Sequence, residues 1–220
     1  MSDLGLAGAF VVNEDDSRVK LICERGPGYS RGMHYRFFRH VLAALPTGAR
    51  SALMLGVYFA RDLMMIADLI DREFPALKNN LLITGVDKFE DTACDDWPNS
   101  VRGVGWQAAG FGVPPDLQSA QNLINSLSRG VKIQLVKSHA ETFLASLPNY
   151  SQDWIYIDTA HDYESTKRLA MTCLEKLRTG GVISGDDYAD TDTWGVKRAV
   201  TEVIPSHLVW ERLIWFAQKG

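Results

Sequence analysis

The strongest constraint on this chain is a rhythm. From residue 51 onward, short apolar runs alternate with stretches whose apolar side chains recur at helical spacing. The runs at 51–57 (SALMLGV), 81–87 (LLITGVD), 131–136 (VKIQLV), 153–158 (DWIYID) and 182–185 (VISG) read as strands. Between them, 60–74 sets Leu63, Ile66, Ala67 and Ile70 on one helix face before Pro75 ends it. Residues 114–130 open on prolines and stop at Gly130, and 140–147 is closed by Pro148. A helix over 163–181 carries glycines at its end, another over 193–204 runs up to Pro205, and the apolar tail 207–218 supplies one or two final strands. Parallel strands need crossover connections, and helices are the usual ones. The expected fold is α/β, a doubly wound, mostly parallel sheet with helices on both faces and an antiparallel edge at the C-terminus. Ligands of such sheets gather at the carboxyl ends of the strands, here 56–61, 87–89, 137–139, 158–161 and 185–188.

At 220 residues the chain can bury one full core. The expected organisation is an N-terminal extension or cap over 1–48 and an α/β domain over 49–220 with a variable loop at 88–115. Lysine and arginine number 23 against 27 acids, a net charge of −4, with no basic block to neutralise a phosphate backbone, so nucleic acid is not an expected partner. Cys23, Cys94 and Cys173 lie too far apart for a disulfide framework or a zinc site, which fits a reducing, cytoplasmic setting. The first residues carry acids where a signal peptide needs positive charge, and no segment approaches the roughly 18 apolar residues of a membrane span. A small-molecule substrate is expected, a membrane is not, and a homo-oligomer is left open.

Two neighbouring strand ends carry the chemistry. Asp158 ends one, and the stretch VISGDDY puts Asp186 and Asp187 at the end of the next, with no lysine or arginine among the following several residues. Three carboxylates meeting at one rim repel, so either some are protonated or a cation sits among them. Oxygen ligands without a nearby cysteine point to Mg²⁺, with Mn²⁺ or Ca²⁺ as other hard cations. Either aspartate of the pair alone would equally fit a loop or helix cap. His161, three residues after Asp158, opens the next helix beside that site and is the candidate general base. His34, His40, His139 and His207 have no comparable carboxylate company in sequence and read as surface or structural. Gly56, after the first strand, allows a tight turn and close approach to a ligand, ahead of a helix with free N–H groups. Asp87 ends the second strand, where an acid can accept hydrogen bonds from both hydroxyls of a ribose.

The segments LMLGVYFARDLMMIADLI, ITGVDKFED, LVKSHAETF, DWIYIDTAHDYESTKRLAMTCLEKLRTGGVISGDDY and GVKRAV resemble, in that order, the successive motifs of class I S-adenosylmethionine-dependent methyltransferases. The likeness is closest to the metal-dependent macrocin and mycinamicin sugar O-methyltransferases. It implies S-adenosylmethionine as cofactor, with Gly56, Tyr58, Asp87, Lys88, Ser138 and Asp158 at the binding positions and Ser138 against the adenine. It implies Mg²⁺ (or Mn²⁺) on Asp158, Asp186 and Asp187, with His161 as base and the metal holding vicinal substrate oxygens. The chain departs from the family at Met54, where an acid usually precedes the glycine by two, and at Ala60, where a second glycine is usual. Tyr58, Arg61 or Asp62 would then have to supply what is missing. Residues 88–115, with Trp97, Trp106 and Phe111, suit a lid or substrate loop, or packing on the core. Residues 23–38, with Tyr29, His34 and Tyr35 near a Gly-Pro-Gly turn, suit a fold over the cofactor, while Phe37, Val41 and Leu45 are spaced to pack on the sheet. The expected activity is O-methylation of a small hydroxylated molecule, a glycoside or natural-product intermediate. An oxidoreductase of the same topology and a non-catalytic binding protein are the alternatives; against the first, no G-x-G-x-x-G turn follows Leu55.

Overall fold

A computed structural model describes residues 17–90, 105, 107–108, 116–127 and 130–220. The elements, in chain order, are α1 (Ser17–Arg25), α2 (Gly32–Ala44), β1 (Ser51–Leu55), α3 (Arg61–Arg72), α4 (Pro75–Lys78), β2 (Leu82–Asp87), α5 (Leu117–Leu127), β3 (Lys132–Lys137), α6 (Ala140–Ser146), β4 (Gln152–Ile157), α7 (Tyr163–Lys176), β5 (Leu177–Gly185), α8 (Val196–Val203), β6 (Leu208–Trp210) and β7 (Ile214–Gln218). Among the described residues the sheet runs β3-β2-β1-β4-β5-β7-β6. The first five strands are parallel, and β7 and β6 close the edge antiparallel, as the tail pattern predicts. The doubly wound α/β reading therefore holds.

Strand periodicity divides the core in two. Ala52, Met54, Trp154, Tyr156 and Phe216 belong to one apolar cluster, with Phe37, Phe38 and Val41 of α2 and the buried face of α3. Their strand neighbours Leu53, Leu55, Ile155, Ile157 and Trp215 belong to the other, with Leu144, Leu169, Cys173 and Val200 from α6, α7 and α8. Side chains of a strand alternate between faces, so both faces are covered and the strands read as continuous apolar runs. Phe37 is fully buried between Tyr156 and Phe216, with ring centroids 6.2 and 5.7 Å away. Among the described residues no helix is long and apolar enough to cross a membrane.

Two helices differ from their sequence reading. The helix expected over 163–181 ends at Lys176, and Leu177 already pairs with Gln152 as the first residue of β5. Leu177 is fully buried in the sheet cluster, Arg178 is held by Asp153 at 2.7 Å, and Gly180 has φ +78, so tertiary burial and a glycine turn override helix propensity. The helix expected over 193–204 begins only at Val196, because Asp190 and Gly195 pair first as an isolated bridge. The prolines expected to open 114–130, Cys94, and Trp97, Trp106 and Phe111 lie outside the described residues.

Candidate active site

The strand order reverses between β1 and β4, and a crevice opens there at the carboxyl ends of the strands. The Asp158 amide donates to Leu55 O at 2.7 Å, and the Gly56 amide to Val86 O at 2.9 Å, so the three rims meet. Gly56 has φ +89, and a Cβ there would lie 1.6 Å from Asp158 O. A residue with a side chain could not take this position without moving the end of β4. The resulting cleft, of about 770 Å³, is lined by Gly56, Tyr58, Asp87, Lys88 and Ser138 on one side and Asp158, His161, Asp186 and Asp187 on the other.

On the first side, Asp87 acts inward. Its Oδ2 accepts from the Val57 and Tyr58 amides at 2.8 and 2.9 Å and its Oδ1 from the Phe89 amide at 2.9 Å. The carboxylate thus shapes the turn after β1 and leaves Oδ1 a lone pair for a ligand hydroxyl. Ser138 donates to His139 O at 3.1 Å. Tyr58 and Ala60 both have positive φ, 50 and 65, so the turn without a second glycine is held in a left-handed conformation. Tyr58 stacks on Tyr29, with centroids 5.9 Å apart. Arg61 fastens the segment that carries Tyr29, donating to Gly26 O, Ser30 O and Cys23 O at 2.6, 3.0 and 3.2 Å.

On the second side, the three carboxylates divide. His161 Nε2 lies 3.0 Å from Asp187 Oδ2 and 3.6 Å from Asp158 Oδ1, with its ring stacked on Trp194 at 4.7 Å. Asp158, His161 and Asp187 offer ligand atoms all within 4.8 Å of one another. Burial pushes the Asp158 carboxyl up to about 7, with the charges of Asp186 and Asp187 adding and His161 opposing. Asp187 reaches its place with φ 53, a conformation that aspartate tolerates better than most residues.

Asp186 faces elsewhere. Its Oδ1 takes the Asp187 amide at 2.9 Å, and its Oδ2 lies 2.8 Å from Nε2 of His34. The reading of His34 as a histidine without carboxylate company is therefore corrected: α2 carries it across the sheet rim into a buried ion pair. Burial lowers the pKa of His34, but the bond to Asp186 and the charges of Asp186, Asp62 and Asp158 outweigh it and raise it to about 9. The Arg31 amide works against this, because it donates to Nδ1 at 3.1 Å and so uses the lone pair a second proton would need. In either protonation state Nε2–H points to Asp186. A sequence signal for His34 existed: it precedes Phe37, Phe38 and Val41 on the apolar face of α2, and a polar group on such a face needs a partner. Two histidines thus answer the acids of the rim, one from each side of the sheet.

Comparisons with known proteins bear on the family and the fold. The family described as methyltransferase domain matches residues 63–188, more than half of the chain. The solved structure of the O-methyltransferase NovP is 16% identical, covers 86% of this chain and 80% of its own, and gives a TM-score of 0.60. CalS11, a calicheamicin methyltransferase, is 20% identical over 85% of this chain and 77% of its own, with a TM-score of 0.60. An O-methyltransferase from Bacillus cereus, solved with SAH, is 14% identical over 96% and 94%, with a TM-score of 0.57. At these identities the structures speak for the fold. No curated protein matches the sequence. The sequence match over β1's following helix through the acidic pair, together with the seven-stranded sheet, establishes that the chain belongs to the methyltransferase-domain family.

Proposed function

We propose that the chain transfers a methyl group from S-adenosylmethionine to a hydroxyl oxygen of a small molecule, with a divalent cation, Mg²⁺ or Mn²⁺, at the rim of β4 and β5. The observation that carries this reading is the convergence of Asp158, His161 and Asp187 within 4.8 Å in the same cleft as the Gly56 turn. Two carboxylates, with positions left for water and substrate oxygens, fit a hard divalent ion, and the imidazole stands beside them. A cleft of about 770 Å³ lies within the range of small-molecule sites, roughly 300–1,000 Å³.

In this reading Asp158 and Asp187 would hold the cation, while Asp186, with both oxygens engaged, positions the loop that carries Asp187. A bound divalent ion supplies Lewis acidity, which lowers the pKa of a neighbouring hydroxyl. The cofactor supplies an electrophilic methyl group on a sulfonium. The protein's part is to align the oxygen with that methyl and to take its proton. His161 Nε2 is the group placed to accept the proton, and Trp194 keeps its ring from turning away. The Gly56 turn, Tyr58, Lys88 and Ser138 would hold the cofactor, with Asp87 taking a ribose hydroxyl on Oδ1. Sugar and other natural-product hydroxyls are the proposed acceptor class, supported by the likeness to CalS11, a TDP-rhamnose 3'-O-methyltransferase of calicheamicin biosynthesis. A cytoplasmic location is proposed with it.

Calorimetric titration with S-adenosylhomocysteine, with and without Mg²⁺, tests the cofactor; absence of binding removes the reading. Asp158→Ala and Asp187→Ala should abolish turnover yet bind the nucleoside, and His161→Ala should slow it by about 10²–10⁴. Normal methylation by both aspartate variants in chelator would rule out the cation.

A further inference from the structure

Two apolar side chains of the cleft have no duty in the core. Trp194 and Leu213 both line the cleft and are partly exposed, yet neither belongs to either apolar cluster of the described residues. Val57, Val86 and Leu169, which also line it, are core members. A single exposed apolar side chain is ordinary on a protein surface. Two of them, held rigidly at the reacting end of a cleft, call for an occupant.

Backbone bonds fix both. The Trp194 amide donates to Thr191 Oγ1 at 3.1 Å and its carbonyl accepts from the Thr191 amide at 3.0 Å, while the next amide, of Gly195, donates to His161 O at 2.8 Å. Leu213 follows a tight turn in which Glu211 and Arg212 have φ 44 and 67. Arg36 of α2 grips that turn, donating from Nη2 and Nε to Glu211 Oε2 and Oε1 at 2.9 and 3.1 Å.

One residue separates each of them from Asp187. The Trp194 ring stacks on that of His161 at 4.7 Å, and His161 Nε2 lies 3.0 Å from Asp187 Oδ2. The Leu213 carbonyl accepts from the amide of Tyr188, next in sequence to Asp187, at 2.8 Å. Gly56, Asp87 and Ser138, where the cofactor would lie, stand at the ends of β1, β2 and β3, whereas Trp194 follows β5 and Leu213 precedes β7, toward the opposite edge of the sheet. An oxygen brought to Asp187 and His161 therefore has an indole and an isobutyl group for neighbours. Small-molecule sites use such walls to take apolar ligand surface out of water. An aromatic ring offers that surface on both faces and a sugar ring in the C–H groups between its hydroxyls; an open chain offers no comparable flat face.

We propose that Trp194 and Leu213 are the walls that receive the acceptor's ring, and that they select a cyclic hydroxylated molecule over an open-chain one. The assignment rests on the reading given above and takes it from chemistry to specificity.

The test uses benzohydroxamate and acetohydroxamate, which present the same pair of chelating oxygens to a cation and differ in carrying a ring or a methyl group. Each is titrated by calorimetry into the protein with Mg²⁺ and S-adenosylhomocysteine present. The wild type should bind benzohydroxamate roughly 10–100-fold more tightly, the range for taking one aromatic ring out of water. Trp194→Ala should lower that preference by about tenfold and Leu213→Ala by about threefold, with acetohydroxamate affinity unchanged, and Trp194→Phe should keep most of it. Equal wild-type affinities for the two probes, or binding of neither by a protein that binds cofactor and cation, overturn the walls and leave the methyl-transfer reading standing. Equal losses for both probes in Trp194→Ala overturn the assignment too, since they mark a duty toward His161 alone. A wild type that binds neither S-adenosylhomocysteine nor Mg²⁺ defeats the earlier reading and this one together. The wild-type comparison decides alone should the variants fold poorly.

Discussion

Replacing His34 by alanine tests how the N-terminal helices are fastened to the rim of the sheet. The His34 side chain is 5% exposed and that of Asp186 is 10% exposed, at 2.8 Å. Removing the imidazole strands a carboxylate where water barely reaches, and breaking a buried pair from one side costs about 3–5 kcal/mol. The hydrogen bond itself accounts for about 1.5–3 kcal/mol of this, and the rest is the unanswered charge. Asp186→Asn removes that charge, so His34→Ala made in the Asp186→Asn background should cost about 2 kcal/mol less than it does alone. Urea unfolding at neutral pH, without cofactor or cation, measures all four corners of the cycle. For a chain of this length the single substitution should lower Tm by roughly 6–20 °C. His34→Gln, whose amide can still donate to Asp186, should recover part of the loss. A His34→Ala protein within about 0.5 kcal/mol of wild type, or a cycle that is simply additive, would refute the reasoning.

Three further outcomes follow from particular residues. Because the Asp158 carboxyl titrates near 7, protons compete with a cation below that pH and not above it. Mn²⁺ affinity should rise about tenfold from pH 6 to pH 8, and a flat calorimetric profile would count against Asp158 as a ligand. Ala60 sits at φ 65, so Ala60→Gly should stabilise the chain by about 0.5–1 kcal/mol; a lower urea midpoint would show that its methyl group packs better than its backbone suffers. Gly56→Ala would drive a methyl into Asp158 O and displace the end of β4 by over an ångström. Methyl transfer should fall by about 10² or more, and a variant with wild-type rate and stability would show that the β1–β4 rim can yield.

Much of the fold was legible because strands buried on both faces announce themselves as unbroken apolar runs, and VISG, DWIYID and SALML do so here. The polar residues that end those runs, Asp158, Asp186 and Asp187, could therefore be put on one rim before any coordinates. The junction of α7 and β5 was not legible in the same way. Glu175, Lys176 and Leu177 are good helix formers, and only the burial of Leu177 against β4 turns the chain into a strand. The pairing of His34 with Asp186 spans 152 positions, and no local spacing reports such a contact. The different duties of Asp186 and Asp187 were hidden for the same reason: two identical neighbours are told apart by what approaches them from α2 and from the loop ahead of α7.

The seating of α2 also has a bearing on how the chain comes together. Phe37 is gripped by Trp210 and Phe216, from the last two strands, while His34, one helical turn earlier, reaches the acidic rim. The parallel strands alone offer Phe37 the ring of Tyr156, and β6 and β7 add the other two rings that enclose it. The antiparallel edge thus steadies the helix that brings His34 to the cleft, although neither Trp210 nor Phe216 lines it.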